Sequence, residues 1–316
     1  MVGKITNNKK ASASILPAIM GHSPWMTRNG QLKETRAHIA GTAEPWDGNE
    51  ATDWGNSLEP VVLDKMAERL EIKVKKDITE PMIMEDLPLE ASLDGIGMGH
   101  GGIIRDDRTN GIYVMTENQE IRLIGPGALE SKVTSVRPEE FPAMSRGPLQ
   151  LQGQMMCANM RWGAIGVLYG GVELRIFLFE PHPGTQQAIR EAVADFDRRL
   201  YSDPCDYYDI VDSADAVLVY PGDEEDEPVI TLDLEVGNLC REHMRLKEGI
   251  KDANKALELV TAEIQKQMGN HTKAEVAGYA ISWPVKNYKA QPEKIVPAKD
   301  GYTQRQKTIA VKEAKK

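Results

Sequence analysis

The chain has 316 residues, 41% of them hydrophobic and 27% charged, with a net charge of −10. That is the composition of an ordinary globular protein, long enough for one large domain or a domain with an appendage. No apolar run is long enough to cross a bilayer, MVGKITNNKKASAS lacks a signal peptide's apolar core, and Cys157, Cys205 and Cys240 are too few and scattered for a disulfide framework, a CxxC metal site or an iron–sulfur cluster.

The chain therefore reads as cytoplasmic. Its acidity argues against nucleic acid only in bulk, because charge is unevenly placed. Six Lys/Arg stand against one acid between Met1 and Arg36; twelve acids and no base lie between Asp203 and Glu235; nine Lys/Arg stand against three acids from Lys286 onward. A local positive surface decides phosphate binding more than the total does.

In chain order, a short helix is predicted from Ser14 to Met20, stopped by GHSPW. A second covers Trp54–Leu70, with Leu58, Val61, Val62, Met66 and Leu70 at helical spacing and Pro60 tolerable only near its first turn. Short strands follow: EIKVK, LEASLDGIGM, GIYVMTE, QEIRLIG and ALESKVTS, joined by Gly-, Asn- and Asp-bearing turns. GIYVMTENQEIRLIG reads as a hairpin. LQLQGQMMCANM is predicted helical with Leu149, Met156 and Met160 as its core stripe. WGAIGVLYGG and ELRIFLFEP read as a hairpin, and TQQAIREAVADFDRRLYS as an amphipathic helix. This succession gives an α/β or α+β fold with a central mixed sheet. From about Tyr201 the character changes. An acidic stretch precedes a long helix, roughly Asn238–Met268, with Leu246, Ile250, Ala253, Leu257, Val260 and Ile264 in register to bury one stripe. AGYAISWPV reads as a strand pair or a turn, and the Lys-rich tail from Lys286 as partly disordered. The acids at 206, 209, 212 and 215 read as a solvated face. The division expected is residues 1–200 and an accessory region, 201–316.

Chemistry enters with GALESKVTS. On a strand, residues two apart share a face, so Glu130 and Lys132 lie side by side, with Leu129 and Ser131 opposite. Such a pair is often an ordinary surface pair; it is also half of a metal-dependent nuclease site. That chemistry needs hard oxygen ligands for Mg²⁺, a group that orients or deprotonates water, and positive charge near the reacting phosphorus. Asp94, in SLDGI, ends an apolar strand before a glycine, where a carboxylate is either solvated or bound to a cation. Glu59 falls among the apolar positions of its helix. Gln150 and Gln154 are one helical turn apart and share a face, although a merely polar face suits Gln152 and Gln154. Glu71-Ile72-Lys73 is a decoy Glu-x-Lys with no acid-bearing strand before it.

Taken in order, SILPAIMGHSPW, GNSLEP, ASLDGI, LESK, QLQGQM and VLYGG resemble the YqaJ-type viral recombinases, the phage lambda exonuclease family within the PD-(D/E)xK nuclease superfamily, over about residues 10–200. The resemblance implies a mixed sheet flanked by helices, with a nuclease core at 1–200. It implies Asp94, Glu130, the Ser131 carbonyl and Glu59 as ligands or supports for Mg²⁺, with Mn²⁺ as a substitute. Lys132 and Gln150 would position the nucleophile, and Ser14 would contact DNA phosphate with Lys9, Lys10 and Arg28 nearby. It further implies digestion of duplex DNA from the 5′ end for a separate single-strand annealing protein, a homo-oligomeric ring of three or four, and a phage or prophage origin in a bacterial host. Gly147 stands where the family often carries Tyr, three residues before the first glutamine. Two other readings stay open: an endonuclease on the same fold, and a DNA-end or partner-binding module.

Overall fold

The computed structural model describes residues 6–45, 48–222 and 230–285. The basic tail from residue 286 and part of the acidic stretch lie outside them. The chain forms two compact units, Met1–Tyr220 and Pro221–Lys316.

The first unit is built on a six-stranded mixed sheet in the order β2-β5-β7-β8-β9-β6. Its strands are β2 (Lys73–Lys75), β5 (Gly95–Arg105), β6 (Ile112–Val114), β7 (Glu120–Thr134), β8 (Gly163–Tyr169) and β9 (Glu173–Phe179). β7 runs antiparallel to β5 and parallel to β8, so the sheet changes sense at the strand that carries Glu130 and Lys132. A small sheet, β1 (Ala11–Ser12), β4 (Leu89–Ala91) and β3 (Met82–Ile83), lies beside it. The helices are α1 (Leu16–Ile19), α2 (Arg28–Ala40), α3 (Glu50–Arg69), α4 (Pro148–Ala158), α5 (Pro183–Leu200) and α6 (Ser213–Val219). Val62, Leu63 and Met66 of α3 pack with Ile121, Leu123, Leu129, Ile176 and Leu178. Leu151 and Met155 of α4 pack with Ala128, Ile165, Val167 and Phe177. Leu129 and Ala128 are neighbours on β7, so the alternation of the strand separates these two cores. The result is a central mixed sheet flanked by helices.

Several elements differ from the sequence expectation. LEASLDGIGM is two strands, because the chain turns at Leu93-Asp94 and passes from the small sheet to the large one. GIYVMTENQEIRLIG is not a hairpin. β6 crosses to pair with β9, and the second half joins ALESKVTS in the single 15-residue strand β7. The long β5–β7 pairing, from Gly95↔Leu129 to Arg105↔Glu120, accounts for the wide separation of Asp94 and Glu130 in sequence. α3 begins at an Asn49 cap, whose side chain accepts from the Thr52 N–H, so Pro60 lies in the helix interior. α2 had no counterpart in the reading, since it buries Asn29, Gln31 and Thr35 with only Leu32. Asp215, expected to be solvated, is buried. It accepts from Thr27 Oγ1 at 2.6 Å and Asn29 Nδ2 at 2.9 Å, tying α6 to α2.

The register of the central strands is fixed by an indole. Gly97 and Gly127 face each other across β5 and β7, and a Cβ on either would meet the Trp162 ring, at 2.8 and 2.2 Å. The fully buried Trp162 fills that slot and donates from Nε1 to the Gly125 carbonyl at 3.2 Å. Its own carbonyl accepts from the Ala128 N–H just before β8 begins.

The second unit comprises α7 (Leu234–Met268), 35 residues long, and the hairpin β10 (Lys273–Val276) and β11 (Tyr279–Ser282). The Asp233 side chain caps α7 by accepting from the Glu235 and Val236 N–H groups.

Gly127→Ala is expected to lower stability by about 1–3 kcal/mol through overpacking against Trp162. Urea unfolding followed by tryptophan fluorescence measures it. Gly55→Ala, with open space around the added carbon, is expected to leave the midpoint unchanged or raise it.

Candidate active site

Asp94 sits where the chain leaves the small sheet and enters β5, immediately before Gly95. β5 pairs with β7 only from Gly95↔Leu129 onward, and the Asp94 carboxylate occupies the next position: Oδ2 accepts from the Ser131 N–H at 2.8 Å. Glu130 and Lys132 project together toward α4, as period-two alternation requires. Lys132 Nζ donates to Glu130 Oε1 at 2.5 Å and to Gln150 Oε1 at 2.9 Å. The other Glu130 oxygen, Oε2, accepts from Gln154 Nε2 at 2.6 Å, and that amide also donates to the Ser92 carbonyl at 2.9 Å. Gln150 and Gln154, one turn apart on α4, thus grip Lys132 and Glu130 respectively.

Hydrogen bonds therefore join Asp94 to Ser131, and Lys132 to Glu130 and Gln150, and the β7 backbone links the two groups. Glu59 of α3 enters through electrostatics. Burial and then the Glu130 charge raise its pKa, and Lys132 partly offsets them. Burial, then the charges of Glu130 and Glu59, push the Asp94 carboxyl well above the ordinary aspartate range, against the opposing Lys132 charge. Burial alone would lower the Lys132 pKa, but Glu130, Asp94 and Glu59 outweigh it and hold the ammonium above its usual value. Glu130 itself is buried. Three acids share one half-buried cation, so the cluster is short of positive charge.

Gln154 is the site residue that sequence reasoning passed over as a polar helix face. It is fully buried, and its spacing from Gln150 was the available signal. Gln152 is buried too but turns away: Nε2 donates to the Glu180 carbonyl, and Oε1 accepts from the His182 N–H that begins α5. Gly147 precedes α4 with φ +122°, and a Cβ there would meet Ile165 at 2.9 Å. A tyrosine could not take this conformation. The decoy pair, Glu71 and Lys73, is exposed at the edge strand β2.

Among the residues predicted to meet DNA, Ser14 is exposed on the turn Ala13–Ile15, its Oγ 3.1 Å from Ser12 Oγ. That turn packs on Gly153 of α4, where an added carbon would meet Leu16 and Ala13. Lys9 is exposed. Lys10 is committed elsewhere, at 2.9 Å from the buried carboxylate of Glu90. Arg28 donates to the Met20 carbonyl and lies over the Tyr208 ring.

Among the described residues, no group of three or more His, Cys, Asp and Glu side chains stands ready to hold a metal ion. The donors that converge are two carboxylates beside a strand backbone, with a third carboxylate in electrostatic range. Such a set of hard oxygens fits an ion that keeps several waters and takes only one or two carboxylates, as Mg²⁺ does.

The family model of the YqaJ-like viral recombinase domain matches residues 6–268. The chain belongs to this family. No curated protein matches it. Among solved structures it is similar to the alkaline exonuclease LHK-Exo from Laribacter hongkongensis, at 17% identity and a TM-score of 0.45, covering 62% of this chain and 90% of that one. LHK-Exo in complex with dAMP gives 16% identity and a TM-score of 0.46, over 63% and 91%. A phage-related exonuclease from Haemophilus somnus 129PT gives 12% and 0.40, over 60% and 92%. No helix among the described residues is long and apolar enough to cross a membrane.

The electrostatics make a prediction that does not depend on activity. Because the folded state raises the Asp94 pKa, it binds that proton more tightly than the unfolded chain. The contribution favours the metal-free fold below the ordinary aspartate value and is lost as pH rises through the folded value. Asp94→Asn is therefore expected to raise the metal-free Tm at neutral pH, by about 2–4 °C for each kcal/mol relieved. The parent is expected to gain a further rise from millimolar Mg²⁺ or Mn²⁺, and the variant is expected to gain none. Thermal melts with and without metal and chelator measure both.

Proposed function

We propose that this protein is a Mg²⁺-dependent DNA exonuclease that digests duplex DNA from the 5′ end and leaves 3′ single strands for a separate annealing protein. The observation that carries the reading is the hydrogen-bonded set Asp94–Ser131 N–H, Lys132–Glu130 and Lys132–Gln150. It forms in a chain of the YqaJ-like viral recombinase domain family. In this reading Asp94, Glu130 and the Ser131 carbonyl hold the ion, and Glu59 supports its waters. The ion, when bound, polarises the phosphodiester and acidifies water. Lys132 stays protonated among the acids, orients the attacking water and offsets charge developing on the phosphorus oxygens. Gln150 holds the ammonium in place through Oε1, and Gln154 keeps Glu130 from turning away. Ser14, on the turn against α4, and the exposed Lys9 would meet the phosphate at the DNA end. Assembly as a ring of three or four copies, with Mn²⁺ able to replace Mg²⁺, completes the proposal.

Linear and closed circular duplexes, incubated with and without Mg²⁺, test it. Loss of the linear substrate alone, only with metal, is the expected result; cutting of the circle would instead make the protein an endonuclease. Glu130→Ala and Lys132→Ala are each expected to slow hydrolysis about a thousandfold, roughly 4 kcal/mol of barrier. Glu71→Ala and Lys73→Ala should leave the rate within a factor of two or so of the parent.

A 5′-phosphorylated end should be digested faster than a 5′-hydroxyl end, and Ser14→Ala should narrow the difference. Equal rates on the two ends, or attack only from 3′ ends, would remove the end-recognition part of the reading.

A further inference from the structure

The helix α7 carries a seam that the nuclease reading does not use. Val236, Leu239, His243, Leu246, Ile250, Ala253, Leu257, Val260, Ile264 and Gln267 follow one another at alternating steps of three and four over the whole helix. The large aliphatic side chains from Leu246 to Ile264 on this seam, expected from the sequence to be buried, are 40–66% exposed, and Leu239 is 68% exposed. A stripe that packs on a sheet or a globular core is wider, and its spacing drifts with the 3.6-residue turn. A strict three–four alternation held over four heptads is the seam of a coiled coil and fits one other helix. Leu259 and Met244 are also exposed but fall off the seam.

We propose that α7 pairs in parallel and in register with α7 of a second copy of this chain. Three features select that occupant. Val236, Ile250, Leu257 and Ile264 share the first core position with His243, and Leu239, Leu246 and Val260 the second, with Ala253 and Gln267. Val236, Ile250 and Ile264 at the first position and Leu239 and Leu246 at the second follow the choice that favours two parallel strands, and Leu257 with Val260 departs from it. In that arrangement Glu242 faces Lys247 of the copy, twice over, whereas an antiparallel pairing of the same seam sets Glu242 against Glu263 of the copy. Glu242 otherwise pairs with Arg245 of its own helix. Finally, His243 puts a polar ring at the first core position of the seam. Parallel register brings the two His243 rings to one layer of the seam. A polar layer of this kind fixes register at some cost in stability. The pairing joins chains in twos whatever assembly the first unit makes, and it does not rest on the nuclease reading.

The test uses the full-length protein. With Cys157, Cys205 and Cys240 replaced by serine, Leu239→Cys is expected to give a disulfide-linked dimer under mild oxidation. Arg241→Cys, on the far side of the helix, should give none. Ile250→Glu with Leu257→Glu should weaken association at least a hundredfold in sedimentation velocity while leaving the helical circular dichroism of the chain. Because those variants disturb the seam itself, a pair of surface charge reversals supplies the independent arm. Glu242→Lys and Lys247→Glu should each weaken self-association several-fold, and an equimolar mixture of the two should restore it. Failure of Leu239→Cys to cross-link, or an unchanged sedimentation profile for the double glutamate variant, would overturn the pairing. The seam would then be covered from within the chain or by an unlike protein.

Discussion

The site depends on the register of β5 against β7, and that register is set by Trp162. Two glycines opposite each other, Gly97 and Gly127, leave a gap in the sheet that the indole fills. A slip of one residue would close the slot and turn Glu130 and Lys132 to the face that carries Leu129. The same slip would withdraw the Ser131 N–H from Asp94. The ring is held from three directions: by the glycines, by its own bond to the Gly125 carbonyl, and by the backbone bond from Ala128 that starts the parallel ladder with β8. A packing constraint three residues from Glu130 thus decides which carboxylates meet.

What could be read from the sequence followed period and order. Glu130 and Lys132 share a face because strands alternate, and this needs no knowledge of the partner strand. Asp94 was legible because an acid between an apolar strand and a glycine must be solvated or paired. The mixed sheet between helices followed from the succession of short strands and amphipathic helices. The parts that escaped depend on tertiary partners. α2 buries polar side chains whose mates lie on α6 and in the Tyr208 segment, so its sequence carries no apolar stripe. β6 was read as half of a hairpin because local turn chemistry cannot tell that its partner is β9. Gln154 looked like a surface residue because its need for burial comes from Glu130, which is distant in sequence.

The cluster is a compromise between two requirements. An acid that is to hold a cation must lie close to other acids, and that closeness is unfavourable while no cation is there. Here the burden falls on Asp94 and Glu59, whose carboxyls are pushed up, and Lys132 offsets part of it. A lysine is the apt choice. Its charge is a compact point on a flexible stem, so the ammonium sits among the acids while engaging one Glu130 oxygen. An arginine fork would fix both Glu130 oxygens at once.

The asymmetry at Glu130 carries that argument further. Its Oε2 is held by Gln154, whose amide is anchored on the Ser92 carbonyl two residues before Asp94. Its Oε1 is held, among the described residues, by Lys132, which has a second acceptor in Gln150. One oxygen is therefore fixed to the frame and the other is exchangeable. Were Asp94 and Glu130 to hold an ion as proposed, Gln154 would keep the Glu130 carboxylate from turning and Gln150 would keep Lys132 within reach. The Gln154 link also closes a loop through the structure: α4 to Glu130, along β7 to Ser131, across to Asp94, and back through Ser92 to α4. Moving any one of these groups strains the others, and this makes a site on three separate elements behave as a single unit.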